Sequence, residues 1–502
     1  MKDYPLIKTA IPGPKSQAIV ARDEAWASTS YIKEYPLVVE RARGAMVEDV
    51  DGNRFLDFMA GIAVAATGHS HPEVVAAIQA AAAKFLHICG SDFYYEGMAQ
   101  LCERLAKVAP GPTRKRVFLS NSGTEAVEGA MKLARYATRR SAFVAFKGSF
   151  HGRTYGALSL TSSKAKQHGH FGPFLPEVHH VPFGYCYRCD YGKTYPSCRL
   201  HCVEVLERDL FARHLDPSDV AAIFVEPIQG EGGYVIPPAD YLPALRALCD
   251  KHGILLVCDE VQSGIGRTGK MFACDHAGVE PDIITVAKGL GSGMPIGAFI
   301  AKDSLMTWTA GAHGSTFGGN PVSCAAALAT LDLVERQYLA NAREMGEYLL
   351  AGVQKLAADF PVIGEVRGLG LMIGIEFVKD RATREPHPDL VEALVQRSFR
   401  RGLLLLSAGK SALRLAPPLV IDREDAVALL PQNLDRVGPR LAEEVHAMQQ
   451  DHRPAIRRAR GGHVHVRHAD VLPFQREREV LDGMRIGHVF EVDAHRPPVG
   501  RW

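Results

Sequence analysis

Five short apolar runs punctuate the middle of the chain: residues 116–120 (RVFLS), 141–146 (SAFVAF), 220–225 (VAAIFV), 254–258 (ILLVC) and 283–286 (IITV). Each is bordered by Gly, Asp, Asn or Lys, and amphipathic helical stretches lie between them. A strand with one wet face alternates polar and apolar residues. A strand that is apolar at nearly every position must be covered on both faces. The pattern therefore predicts a parallel sheet between helical layers, an α/β doubly wound domain whose ligands bind beyond the carboxyl ends of the strands. The chain has 502 residues, 47% hydrophobic and 23% charged, enough for more than one core and incompatible with wholesale disorder.

The two ends read differently. Residues 44–57 (GAMVEDVDGNRFLD) alternate on both sides of Asp-Gly-Asn, which signals a hairpin. After Pro321 comes an Ala/Leu-rich helical stretch, then a strand over 366–377 (VRGLGLMIGIEF) and a helix over 389–400. These ends form a smaller α+β domain. The expected organisation is 1–75 as the N-terminal part of the small domain, 76–330 as the large domain, 331–440 as the C-terminal part of the small domain, and 441–502 as a disordered tail. No lysine follows Lys410, and residues 451–502 hold ten Arg, six His and seven acids with no persistent period. Two readings stay open there, a poorly ordered extension or a shifted reading frame.

Lys plus Arg total 58 and Asp plus Glu 56, which gives no electrostatic case for nucleic acid or an anionic membrane. No stretch approaches the roughly 20 apolar residues of a membrane span, and no secretory signal follows the first charges. The ten cysteines then read as thiols of a reducing cytosol.

Four segments carry chemistry. Residues 121–135 (NSGTEAVEGAMKLAR) place a Ser-Gly-Thr turn at a helix start, where free N–H groups and hydroxyls suit a phosphate or a plain N-cap. Residues 146–154 (FKGSFHGRT) set Phe150 and His151 between glycines, fit to face a flat ligand, with Arg153 able to fork a carboxylate or to serve as a surface charge. Residues 257–269 (VCDEVQSGIGRTG) put Asp259 directly after a buried strand, where it can hold a protonated ring nitrogen or cap a loop. Residues 285–297 (TVAKGLGSGMPIG) put Lys288 at a strand end among apolar neighbours. Desolvation there suits a lysine to Schiff-base chemistry, and a structural lysine is the plainer alternative.

In this order and spacing, the four segments resemble the class III (ω-amino acid) aminotransferases, members of the fold type I pyridoxal-phosphate enzymes, over roughly residues 20–425. Residues 61–64 (GIAV), 67–69 (TGH), 225–231 (VEPIQGE), 315–321 (STFGGNP) and 413–418 (LRLAPP) extend the resemblance. It implies pyridoxal 5'-phosphate as cofactor and Lys288 as the residue that forms its Schiff base and shuttles the proton. It implies Asp259 at the pyridine nitrogen and Val261 and Phe150 on the two ring faces, with His151 also in the cofactor site. Gln262 would approach the phenolic oxygen, and Gly123 and Thr124 the phosphate. Thr316 would reach the phosphate of a neighbouring subunit, so the resemblance implies at least a homodimer with a shared site.

The resemblance also implies substrate contacts. Arg414 would bind an α-carboxylate, with Glu231 as its counter-ion when no such carboxylate is present. Arg153 would take the distal carboxylate, and Ile62 would stand near the entrance. Together these are most similar to 4-aminobutyrate aminotransferases working by a ping-pong mechanism with 2-oxoglutarate. Acetylornithine- or ornithine-type aminotransferases and pyridoxal-phosphate-dependent amino-acid racemases remain as alternatives. Residues 185–202 (YCYRCDYGKTYPSCRLHC) form an insertion that resembles a segment of the 4-aminobutyrate and racemase subgroup. Its C-x2-C-x8-C-x3-C spacing of Cys186, Cys189, Cys198 and Cys202 could ligate zinc, but the middle gap is short for a zinc ribbon. Packed free thiols, with no metal, are the expectation.

Overall fold

The computed structural model describes residues 5–429, and the tail expected over 441–502 lies outside them. Its central element is a seven-stranded sheet. The strand order is Lys115–Ser120, Gly297–Lys302, Ile283–Val286, Leu255–Asp259, Val220–Val225, Ala142–Phe146 and Val178–Val181. Pairings from Ile283–Val286 through Val178–Val181 are parallel. Only Gly297–Lys302 runs antiparallel, to both of its neighbours. The connection over 287–296 holds a single helical turn, Lys288–Leu290. That is too little chain for a parallel crossover, so the strand must turn back.

Both faces of the sheet are covered, as the continuous apolar runs require. Phe143, Ala145, Ala222, Phe224 and Val257 pack on one face against Val127, Ala130 and Ala134 of the helix Gly123–Thr138. Val144, Phe146, Ile223, Val225 and Leu256 pack on the other, with Tyr241 and Leu245 of the helix Tyr241–His252. Every residue of Val220–Val225 is buried.

Two smaller sheets accompany it. The hairpin expected over 44–57 forms from Met46–Asp49 and Arg54–Asp57, paired Met46↔Leu56 and Glu48↔Arg54, with Gly52 at φ +82° in the turn. Leu403–Leu404 adds to Arg54–Asp57 in parallel, so residues from both ends of the chain share this sheet. The other sheet has the order Ile363–Leu369, Met372–Phe377, Ala412–Leu415 and Leu406–Ala408.

The single strand expected over 366–377 is instead two antiparallel strands. Gly370, at φ +53°, makes the reversal. The helical stretch after Asn320 is present as Pro321–Leu333, with the Asn320 side chain accepting from the N–H groups of Val322 and Ser323, and as Leu339–Asp359. Among the described residues no helix is long and apolar enough to cross a membrane.

A Cβ on Gly370 would lie 2.4 Å from the carbonyl carbon of Thr268, a backbone atom that cannot swing aside. Gly370→Ala is therefore expected to cost about 2 kcal/mol or more, combining positive-φ strain with that clash. Chemical denaturation checks this, and an unchanged midpoint would contradict it.

Candidate active site

The motifs meet at the carboxyl edge of the large sheet because each follows a strand that ends there. Asp259 closes the strand Leu255–Asp259 and is 4% exposed. Its Oδ2 lies 2.7 Å from His151 Nδ1, and its Oδ1 accepts from the Val261 N–H at 3.0 Å. Burial alone would depress the His151 pKa, but the hydrogen bond and charge of Asp259, aided by Glu226, raise it. The histidine can therefore hold a proton toward Asp259.

Glu226 lies next in this layer. It accepts from the N–H of Phe150 through one oxygen and of Gly230 through the other, both at 2.9 Å. Burial pushes its carboxyl up to about 7, against the lowering effect of His151 and these two donors.

Lys288 follows the strand Ile283–Val286, which pairs Asp259 with Thr285. Its backbone sits at φ +43°, a left-handed conformation costly for a side-chain-bearing residue and characteristic of functional sites. Burial first, then the Arg414 charge, lowers its pKa to about 8, despite the opposing effect of Glu231, Asp259 and Glu226.

The Ser-Gly-Thr turn abuts this lysine loop. A Cβ on Gly123 would lie 2.8 Å from Val261 Cγ1 and 3.5 Å from Ala287 Cβ. Ser122 caps the helix by accepting from the Glu125 N–H, and Glu125 accepts from the Asn121 N–H at 2.7 Å. Thr124 Oγ1 lies 2.7 Å from Thr154 Oγ1. Among the described residues, the buried atoms Gln262 Oε1 and His151 Nε2 have no hydrogen-bond partner.

On the opposite side Arg414, from the strand Ala412–Leu415, donates from NH1 to Glu231 Oε1 at 2.7 Å. Both side chains are mostly buried. Burial would raise the Glu231 carboxyl, but Arg414 and then Lys164 hold it below the usual range, so it stays ionised. Lys164 Nζ stands 3.7 Å from Glu231 Oε2. The sequence reading missed this lysine, since Lys164 and Lys166 in the run 161–166 (TSSKAK) carry no pattern.

Ile62 is 41% exposed and sits in an unexpected conformation. Ala60, Gly61, Ile62 and Ala63 all have φ between +47° and +67°, a left-handed turn. Such a turn costs about 1–2 kcal/mol for each side-chain-bearing residue. Asp57 holds it, accepting from the N–H groups of Met59 at 2.8 Å and Ala60 at 2.9 Å, while its other oxygen meets His69 Nε2 at 2.7 Å.

Arg153 and Thr316 are exposed, and neither is tied by an ion pair or side-chain hydrogen bond within the described residues. The Arg153 guanidinium lies 5.8 Å from the centre of the Phe150 ring. Ser315, beside Thr316, accepts from Asn121 Nδ2 at 3.2 Å. Cys186, Cys189, Cys198 and Cys202 are free thiols lining one small cavity, and burial pushes Cys202 up to about 11. Among the described residues no group of three or more His, Cys, Asp or Glu is arranged to hold a metal ion.

The sequence profile of the family described as Aminotransferase class-III matches residues 28–437. A 4-aminobutyrate aminotransferase of Mycobacterium bovis is 40% identical over 442 residues, 87% of this chain and 97% of that protein. An alanine/serine racemase of Pyrococcus horikoshii is 38% identical over 434 residues, 85% of this chain and 91% of that one. A crystal structure of an amine transaminase from an uncultivated Pseudomonas species, in its PLP-bound form, superposes with a TM-score of 0.75 at 32% identity, covering 84% of this chain and 97% of that one.

The chain belongs to the class-III aminotransferases, on the fold type I architecture that the sheet order displays. It is accordingly a pyridoxal-phosphate-dependent aminotransferase. The residues present fit that cofactor. Only a glycine lets the helix start approach Val261 so closely, a buried paired acid stands beside it, and among the described residues Gln262 Oε1 and His151 Nε2 lack partners.

In the cofactor-free protein, modification of Lys288 by an amine-reactive reagent should rise with pH through a midpoint near 8, because the neutral amine is the reactive form. Peptide mapping across a pH series checks this. A midpoint near the ordinary lysine value of about 10.4 would contradict it.

Proposed function

We propose that the chain transaminates 4-aminobutyrate or a related ω-amino acid with 2-oxoglutarate, the two substrates using one site in turn. The observation that carries this reading is the Arg414–Glu231 pair at 2.7 Å. A buried guanidinium needs a counter-charge at all times. An ω-amino donor brings no α-carboxylate, so Glu231 stays on Arg414. A 2-oxo acid brings one, and it replaces Glu231 by a bidentate fork. One site thus accepts two differently charged substrates in alternation, as ping-pong exchange demands. The relative named 4-aminobutyrate aminotransferase supports the choice of donor.

When bound, pyridoxal phosphate would be held by Lys288 and would supply an electron sink. The chain's residues do the rest. Asp259, hydrogen-bonded to His151, would hold a proton at the pyridine nitrogen. Lys288 Nζ, with its pKa lowered to about 8, would move the proton between the substrate carbon and C4′. Val261 and Phe150 would cover the ring faces and Gln262 would meet the phenolic oxygen. Gly123 and Thr124 would hold the phosphate, with Thr316 supplied from a second copy in a homodimer. That origin for Thr316 agrees with its exposure. Arg153, exposed and without a carboxylate partner among the described residues, would take the distal carboxylate, with Ile62 at the entrance. The site of action is cytoplasmic in this reading.

The racemase named among the relatives supports a second reading, in which the same lysine works without a 2-oxo acid. Adding 4-aminobutyrate alone to the yellow holoenzyme separates the two. Loss of the visible band, restored by 2-oxoglutarate, is the expected result. A band that persists, together with racemisation of an L-amino acid without acceptor, would overturn the proposal.

Arg414→Ala should weaken 2-oxoglutarate by about 2 kcal/mol or more, roughly 30-fold, with a much smaller effect on the ω-amine half-reaction. Half-reaction kinetics check this, and equal losses in both would contradict the switch.

A further inference from the structure

We infer that Lys164 is a positioning residue, the cation that receives the Glu231 carboxylate when a substrate carboxylate takes Arg414. The inference rests on the exchange proposed above and supplies the partner that the exchange otherwise lacks. Among the described residues Glu231 has two ion-pair partners, and they divide its oxygens. Arg414 NH1 holds Oε1 at 2.7 Å, while Lys164 Nζ stands 3.7 Å from Oε2. The second distance lies within ion-pair range but about 1 Å beyond a hydrogen bond, so a small movement of Glu231 off Arg414 completes the contact.

Charge balance requires such a partner. Glu231 is mostly buried and ionised, and a displaced carboxylate left alone in that setting would cost far more than the exchange could recover. With Lys164 the count closes: substrate carboxylate on Arg414, Glu231 on Lys164. The backbone on which Lys164 rides is fixed close by, where Ser162 donates to the Ser149 carbonyl at 2.8 Å and accepts from the Gly148 N–H at 3.2 Å. Its side chain remains one-third exposed, free to follow the carboxylate. Glu34, half-buried on the N-terminal segment, feels Lys164, Arg414 and Lys166 together, and is the other acid competing for these cations.

The test compares half-reactions of the full-length holoenzyme in Lys164→Met and Lys164→Arg. The probes are 2-oxoglutarate, pyruvate, 4-aminobutyrate and a primary amine without a carboxylate. Lys164→Met should weaken both 2-oxoglutarate and pyruvate about 10- to 100-fold, the range for leaving a buried charge unpaired. Both amine donors should change less than about threefold, and Lys164→Arg should restore the acceptors. If 2-oxoglutarate and 4-aminobutyrate weaken while pyruvate does not, Lys164 binds the distal carboxylate directly and the inference is overturned. Equal losses with all four probes, or a fall in Tm with no change in the split, would overturn it as a structural effect. Arg414→Ala run in parallel separates the two levels of argument. If it fails to distinguish acceptors from donors, the exchange itself is wrong. If it distinguishes them and Lys164→Met does not, only the role of Lys164 falls.

Discussion

The interaction on which this site depends is the contact between Asp259 and His151 beneath it. A side chain that is 4% exposed needs its polar atoms paired. His151 Nδ1 meets one oxygen of Asp259 and the Val261 N–H donates to the other. The same contact orients other parts. Val261 is held through its backbone at the position where it meets Gly123, and the His151 loop is pinned from its other side by Glu226. Glu226 also reaches Gly230, next to Glu231. One buried acid thus ties the segment carrying Phe150 to the turn carrying Glu231.

Around this centre lie charge pairs that the proposed exchange would rearrange. Lys288 feels Arg414 as its strongest neighbouring charge after burial, and Glu231 as the strongest opposing one. In the proposed exchange, moving Glu231 between Arg414 and Lys164 therefore also alters the field at the lysine. The left-handed turn over Ala60–Ala63 adds a rigid wall, at a conformational cost met by the hydrogen bonds of Asp57.

Much of this was legible in the sequence. Runs such as 220–225 and 283–286, apolar at nearly every position, can only be strands covered on both faces, and both strands form with those bounds. The placement of Asp259 and Lys288 was readable because residues at or just after the ends of such strands lie at the carboxyl edge of the sheet. Other features left no local trace. The direction of Gly297–Lys302 depends on the shortness of the connection before it, since its composition suits either direction. The reversal at Gly370 is hidden in a run with several glycines, only one of which turns the chain. The turn at Ala60–Ala63 contains side chains that disfavour left-handed backbone, so propensity argues against it. Lys164 acquires meaning only from Glu231, which is 67 residues further along the chain (231 minus 164).

In the proposed mechanism Asp259, hydrogen-bonded to His151, would hold a proton on the cofactor's ring nitrogen. The most direct measurement is nitrogen NMR of the holoenzyme reconstituted with cofactor labelled at that atom, across pH 6 to 9. The account predicts a protonated nitrogen throughout the range, and its loss on Asp259→Asn with the fold intact. A ring nitrogen that is unprotonated in the native enzyme, or that titrates freely within this range, would contradict it.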